Sequence, residues 1–147
     1  MTTGLWVVLA CLLLVVGFAV YRVRTDGRFH RRRGAEAGTP AAPTTASVLT
    51  GAGIDVPLGD RATLLQFSSA FCAPCRATRR VLGEVVDLVP GVTHLEVDAE
   101  QHLEVVRALH VLRTPTTLIL DPDGHEVSRA SGLPARDQVL AALARVS

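Results

Sequence analysis

A short apolar run, ATLLQF (Ala62–Phe67), passes through SSAFCAPC straight into RATRRVLGEVVDLV. The run reads as a buried strand, and Val81, Leu82, Val85 and Val86 then recur at helical spacing opposite Arg79, Arg80 and Glu84. A buried strand feeding an amphipathic helix opens a strand–helix–strand unit, and that commits the rest of the chain to a layered α/β architecture. Pro90-Gly91 ends the helix. VTHLEVD (Val92–Asp98) is the next strand, and EQHLEVVRALHV (Glu100–Val111) the next helix, with Leu103, Val106 and Leu109 expected inward. TTLILD (Thr116–Asp121) is a third strand. In DPDG (Asp121–Gly124) proline presets φ and glycine closes a turn. HEVSRA then returns as an antiparallel partner. Gly132 breaks it, and Ala135–Val146 forms a closing helix on Val139, Leu140, Leu143 and Val146. The expected fold class is α/β, with a central mixed β-sheet flanked by helices on both faces.

Two of the three cysteines, Cys72 and Cys75, stand where the first strand meets its helix. A zinc site needs four ligands, and no second CxxC or paired histidines accompany these two. A purely structural disulfide would close too small a loop to stabilise much. Redox chemistry fits the position. Cys72 falls at a helix N-terminus, where free N–H groups and the helix dipole favour a thiolate. Pro74 suits the first turn, and Cys75 lies one turn further in, shielded on the same side. Cys72 can then attack a disulfide and Cys75 resolve the mixed disulfide.

With FCAPC (Phe71–Cys75), Asp98 ending the second strand, RTPTT (Arg113–Thr117) and Gly132 after the hairpin, the chain resembles the thioredoxin superfamily from about Ala62 onward. The 43 residues from Cys72 to Pro115 fit that family. The resemblance implies that Pro115 follows a cis peptide and packs against the cysteine pair. It also implies that the Thr114 backbone hydrogen-bonds an extended substrate. Phe71 replaces the usual tryptophan at the rim of the site. The family's buried acid falls at Gln66, which cannot take a proton, and its partner lysine falls at His94. His94 is read as a neutral core histidine or as a source of acid–base help, with Glu96 a further candidate. Arg80 replaces the proline that kinks this helix in the family, so a straighter helix is expected. Arg76 is read as a solvated arginine beside Cys75. SVLTGAGIDVPLGDR (Ser47–Arg61) lacks an obvious first strand and helix.

LWVVLACLLLVVGFAVY (Leu5–Tyr21) carries no charge, and its seventeen residues would extend about 25 Å as a helix. Trp6 and Tyr21 bracket it at interfacial depths. MTTG has no basic side chain for a signal peptide's n-region, so an uncleaved single span is expected. Cys11 lies within it as a small hydrophobe. Six arginines follow the span through Arg33 against one acid, Asp26, whereas nine arginines face thirteen acids from Gly34 onward. Basic charge blocked beside an apolar run marks a membrane flank, and it argues against nucleic-acid binding, which needs a charged folded face. The positive-inside rule puts the domain in the cytoplasm, the exported side being the alternative.

The expected domains are a transmembrane anchor over residues 4–22, a basic juxtamembrane segment and flexible linker over residues 23–47, and a thioredoxin-like domain over residues 48–147. Within that linker, GAEAGTPAAPTTAS (Gly34–Ser47) reads as a tether. The expected function is thiol–disulfide exchange on protein substrates by Cys72 and Cys75. It needs no cofactor beyond their redox-active disulfide and no metal, and a separate redox partner recycles the pair. The alternative is a non-catalytic interaction module on the same fold. Pro74 between the cysteines is similar to the proline of the reducing members of that superfamily, and the resemblance implies a reductant.

Overall fold

A computed structural model of the chain describes residues 2–31 and 43–146. Helix α1 (Thr2–Thr25) contains a 19-residue apolar stretch, Gly4–Arg22, long enough to cross a bilayer and equally compatible with a signal sequence. Strand β1 (His30–Arg31) follows within five residues. Then come α2 (Thr45–Gly51), β2 (Ala62–Ser68), α3 (Ala73–Leu88), β3 (Val92–Asp98), α4 (Leu103–Ala108), β4 (Thr116–Leu120), β5 (Glu126–Ser131) and α5 (Arg136–Leu143). The five strands form one sheet in the order β1-β5-β4-β2-β3. β2 and β3 run parallel, and every other pair is antiparallel.

The sheet is mixed and covered on both faces, as its periodicities demand. β2 is buried along its whole length, which explains its unbroken apolar pattern. Ala62 and Leu64 pack with Leu82 and Val85 of α3 and with Val139, Ala142 and Leu143 of α5. Leu65 and Phe67 face the other way, onto Leu49 of α2 and Val105 and Leu109 near α4.

Three expectations shift. The second helix is six residues long, so its buried face is the i, i+4 pair Val105 and Leu109, and Leu103 points outward at 51% exposure. Ser47–Arg61 does contribute to a helix, which begins at Thr45 because Thr44 Oγ1 accepts the Ser47 N–H at 2.9 Å. The basic flank is not all linker either. Its first residues, through Thr25, extend α1, and His30 and Arg31 enter the sheet, since β1 pairs His30 with Arg129 and Arg31 with Ser128, while Phe29 packs on the α3 side of the core. Most of the expected tether, residues 34–42, lies outside the described residues.

β5 also carries a buried ion pair. Glu126 has no exposed side-chain surface, and Arg129 grips it through Nε at 2.5 Å and Nη2 at 2.6 Å. The same guanidinium donates to the carbonyl of Leu109 at 3.1 Å, tying the end of α4 to the sheet.

Candidate active site

Cys72 and Cys75 are joined by a disulfide. Cys72 is the N-cap of α3. Its backbone is extended, and its Sγ accepts the Cys75 N–H at 3.1 Å. That N–H also donates to the Cys72 carbonyl at 3.1 Å; it lies in the first turn, where no i−4 partner exists, and its second arm points at the sulfur that must carry negative charge in the reduced pair. Pro74 occupies the first turn, where it forfeits no hydrogen bond. Cys75 is 2% exposed, whereas Cys72 is only half-buried. Cys72 is therefore the sulfur within reach of another molecule. α3 continues unbroken to Leu88, with Arg80 on its exposed side.

Gln66 is fully buried below the pair and donates from Nε2 to the Cys75 carbonyl at 3.0 Å, while its Oε1 has no partner among the described residues. It fixes the first turn of α3 against the sheet without offering a proton. The Thr114–Pro115 peptide is cis. Thr114 Oγ1 meets Ser69 Oγ at 3.2 Å, and Cys72 N–H donates to the Ser69 carbonyl at 3.3 Å, which links this loop to the disulfide. Phe71, beside Cys72, is 98% exposed and forms a bare aromatic rim.

A cavity of about 440 Å³ opens beside the disulfide, lined in part by Cys72, Cys75, Ser68, Arg79 and Glu96. In register on the sheet, Glu96 sits opposite Gln66 and His94 opposite Leu64, so Glu96 reaches the cavity and His94 lies outside it. Glu96 is bound to Arg79 at 2.6 Å. Burial acts to raise its carboxyl, yet hydrogen bonds from Arg79 and Ser68 and the charge of Arg79 outweigh this and hold it below the ordinary value. Arg79 itself is raised by the hydrogen bond to Glu96. The site's candidate acid is therefore an ionised carboxylate at neutral pH. The Arg79 partnership crosses from helix to strand, and no local sequence pattern announces it.

Burial, the largest influence, pushes the His94 imidazole below its ordinary value; Glu96 opposes this and Arg79 adds to it. Its Nε2 is buried without a partner among the described residues. The unfolded chain therefore takes up the proton first, so His94 favours the folded state above the unfolded pKa of about 6.5, and this is lost as pH falls from there towards the folded value. Urea melts at descending pH should show the loss, and His94→Gln should flatten that part of the profile. An unchanged profile would mean that this imidazole is solvated.

A family model described as thioredoxin matches residues 54–145. A thioredoxin of Chlamydia trachomatis is 35% identical over 77 residues, which cover 52% of this chain and 74% of that protein. A thioredoxin of Alicyclobacillus acidocaldarius is 32% identical over 89 residues, covering 60% and 84%. Among solved structures, Fasciola hepatica thioredoxin superposes with a TM-score of 0.56 at 24% identity, over 71% of this chain and 96% of that one. A mutant thioredoxin from Halobacterium salinarum gives 0.55 at 20% identity, over 59% and 75%.

Proposed function

We propose, because this chain belongs to the thioredoxin family, that it is a membrane-anchored thiol–disulfide oxidoreductase that reduces protein disulfides through Cys72 and Cys75. The observation that carries the reading is the half-buried Cys72 sulfur at the N-cap of α3, receiving the Cys75 N–H. In the reduced pair the Cys72 thiolate attacks one sulfur of a substrate disulfide. That S–S bond breaks, and the first substrate thiolate leaves and is protonated. Cys75 then loses its proton and attacks Cys72 Sγ, releasing the second substrate thiol and closing the Cys72–Cys75 disulfide. Two electrons pass to the substrate with two protons, one given up by Cys75 and one drawn from solvent, and an external dithiol donor must restore the reduced pair. Thr114, with its cis-linked Pro115, supplies the backbone edge along which an extended substrate lies. Glu96, which lines the cavity with Cys75, is the candidate to receive the Cys75 proton, and His94 lies outside that cavity.

Anchoring rests on Gly4–Arg22 as a span, and the arginines that follow it support a cytoplasmic domain by the positive-inside rule. The test uses the full chain in detergent, a disulfide-bonded protein substrate and a dithiol donor. Catalysed reduction is expected. A pair that cycles with the dithiol yet leaves the substrate disulfide untouched would favour the non-catalytic interaction module. Sidedness follows from labelling reduced cells with a membrane-impermeant maleimide. Labelling only after lysis agrees with a cytoplasmic domain, and labelling of intact cells would place the domain outside.

A further inference from the structure

The end of the sheet that carries the disulfide is also the end at which the chain leaves its apolar helix. β5 runs up to Gly132, whose N–H donates to the Pro115 carbonyl at 2.7 Å. β1 is antiparallel to β5, so its first residue enters at that same end. Three strand spacings separate β1 from β2, which puts the start of the Cys72 loop about 14 Å sideways from the point of entry.

The junction is short and held together. Asp26 N–H donates to the Arg22 carbonyl at 2.8 Å, so the helical path continues about one turn past the apolar stretch, roughly 6 Å. The Asp26 carboxylate lies 3.9 Å from the Arg22 guanidinium and 2.9 Å from that of Arg113, the residue before Thr114. Gly27 N–H donates to the Ser131 carbonyl at 2.7 Å. Gly27 has φ +77°, and a Cβ there would overlap the Leu133 carbonyl, so only glycine lets the junction lie this close. From Asp26 the connections run through Arg113 and Thr114 to Ser69 and Cys72.

Large apolar side chains stand bare around this end: Phe71 beside Cys72, Leu112 beside Arg113 at 94% exposure, and Leu133 beside Gly132 at 44%. Exposed Arg28 accompanies them. An aromatic and two leucines set among arginines match the interfacial layer of a bilayer. We propose that Asp26, by bridging Arg22 and Arg113, holds the redox end of the domain against the bilayer that its own helix spans. The Phe71, Leu112 and Leu133 rim then lies in the interfacial layer, and Cys72 serves thiols and disulfides held at the membrane surface. The proposal rests on the anchored reading of Gly4–Arg22.

The experiment uses the full chain in phosphatidylcholine vesicles, with Trp6→Phe removing the native indole and Phe71→Trp placing one on the rim. Lipids brominated near the headgroup end of their chains are the quencher. Loss of emission is expected in brominated vesicles, and Asp26→Ala should return part of it while circular dichroism stays unchanged. Arg113→Ala should act in the same direction. Protein that sediments with vesicles yet shows no quenching overturns the proposal, and protection of that indole only on adding a protein substrate would assign the rim to a protein partner instead. Quenching indifferent to both clamp variants overturns the role of Asp26. Failure to sediment with vesicles, or release by carbonate, would remove the anchored reading itself and the proposal with it.

Discussion

Cys72→Ser is expected to bring disulfide reduction down to the uncatalysed background, and Cys75→Ser to leave the first attack intact while the product stays covalently attached. The difference follows from the two environments. At Cys72 the reaction needs a sulfur anion at the mouth of a helix, facing solvent. A serine hydroxyl in the same place does not ionise near neutral pH, so the donated Cys75 N–H has no nucleophile to stabilise. At Cys75 the sulfur is enclosed, and its part is to attack Cys72 after a substrate has been captured. Its loss should give a mixed disulfide, seen as a dithiol-sensitive band on a non-reducing gel. Steady turnover by Cys75→Ser would mean that another thiol resolves the intermediate. Within this chain that leaves Cys11, which lies inside the apolar helix.

Arg129→Met should be the most destabilising of the polar substitutions, by about 3–5 kcal/mol, because it strips the guanidinium from a carboxylate that has no exposed side-chain surface. It also removes the donor to the Leu109 carbonyl at the end of α4. The double variant Glu126→Leu/Arg129→Met should recover most of that loss, since an apolar pair of similar volume brings no charge to desolvate. Urea denaturation of the wild type, both single variants and the double variant closes the cycle. A cost below about 1 kcal/mol for Arg129→Met would show that the pair behaves as a solvated surface bridge.

The order of strands and helices from Ala62 onward was legible because each element carries its own period, and the redox pair because its motif is local. Leu103 lies about 200° around the helix from Val105, so the face that buries Val105 and Leu109 turns Leu103 outward, a phase that the apolar positions alone do not fix. β1 left no trace in the sequence. Its two residues sit among arginines with no alternation, and what recruits them is the open edge of β5, a tertiary cause. Arg79 and Glu96 each look like surface charge, and only the packing of α3 on β3 joins them beside Cys75. The departure at Gln66 was visible, but its hydrogen bond to the Cys75 carbonyl follows from the buried geometry.

β1 has a practical consequence for handling the protein. Among the described residues it is the outermost strand on its side of the sheet, and through His30 and Arg31 it covers backbone donors and acceptors of β5. A soluble version cut anywhere after Arg31 would leave that stretch of β5 as a naked edge, the template on which a second copy can add a strand. Self-association of such a truncated domain would then reflect the missing cover and not the physiology of the intact chain. Starting the soluble version at Asp26 keeps the cover in place.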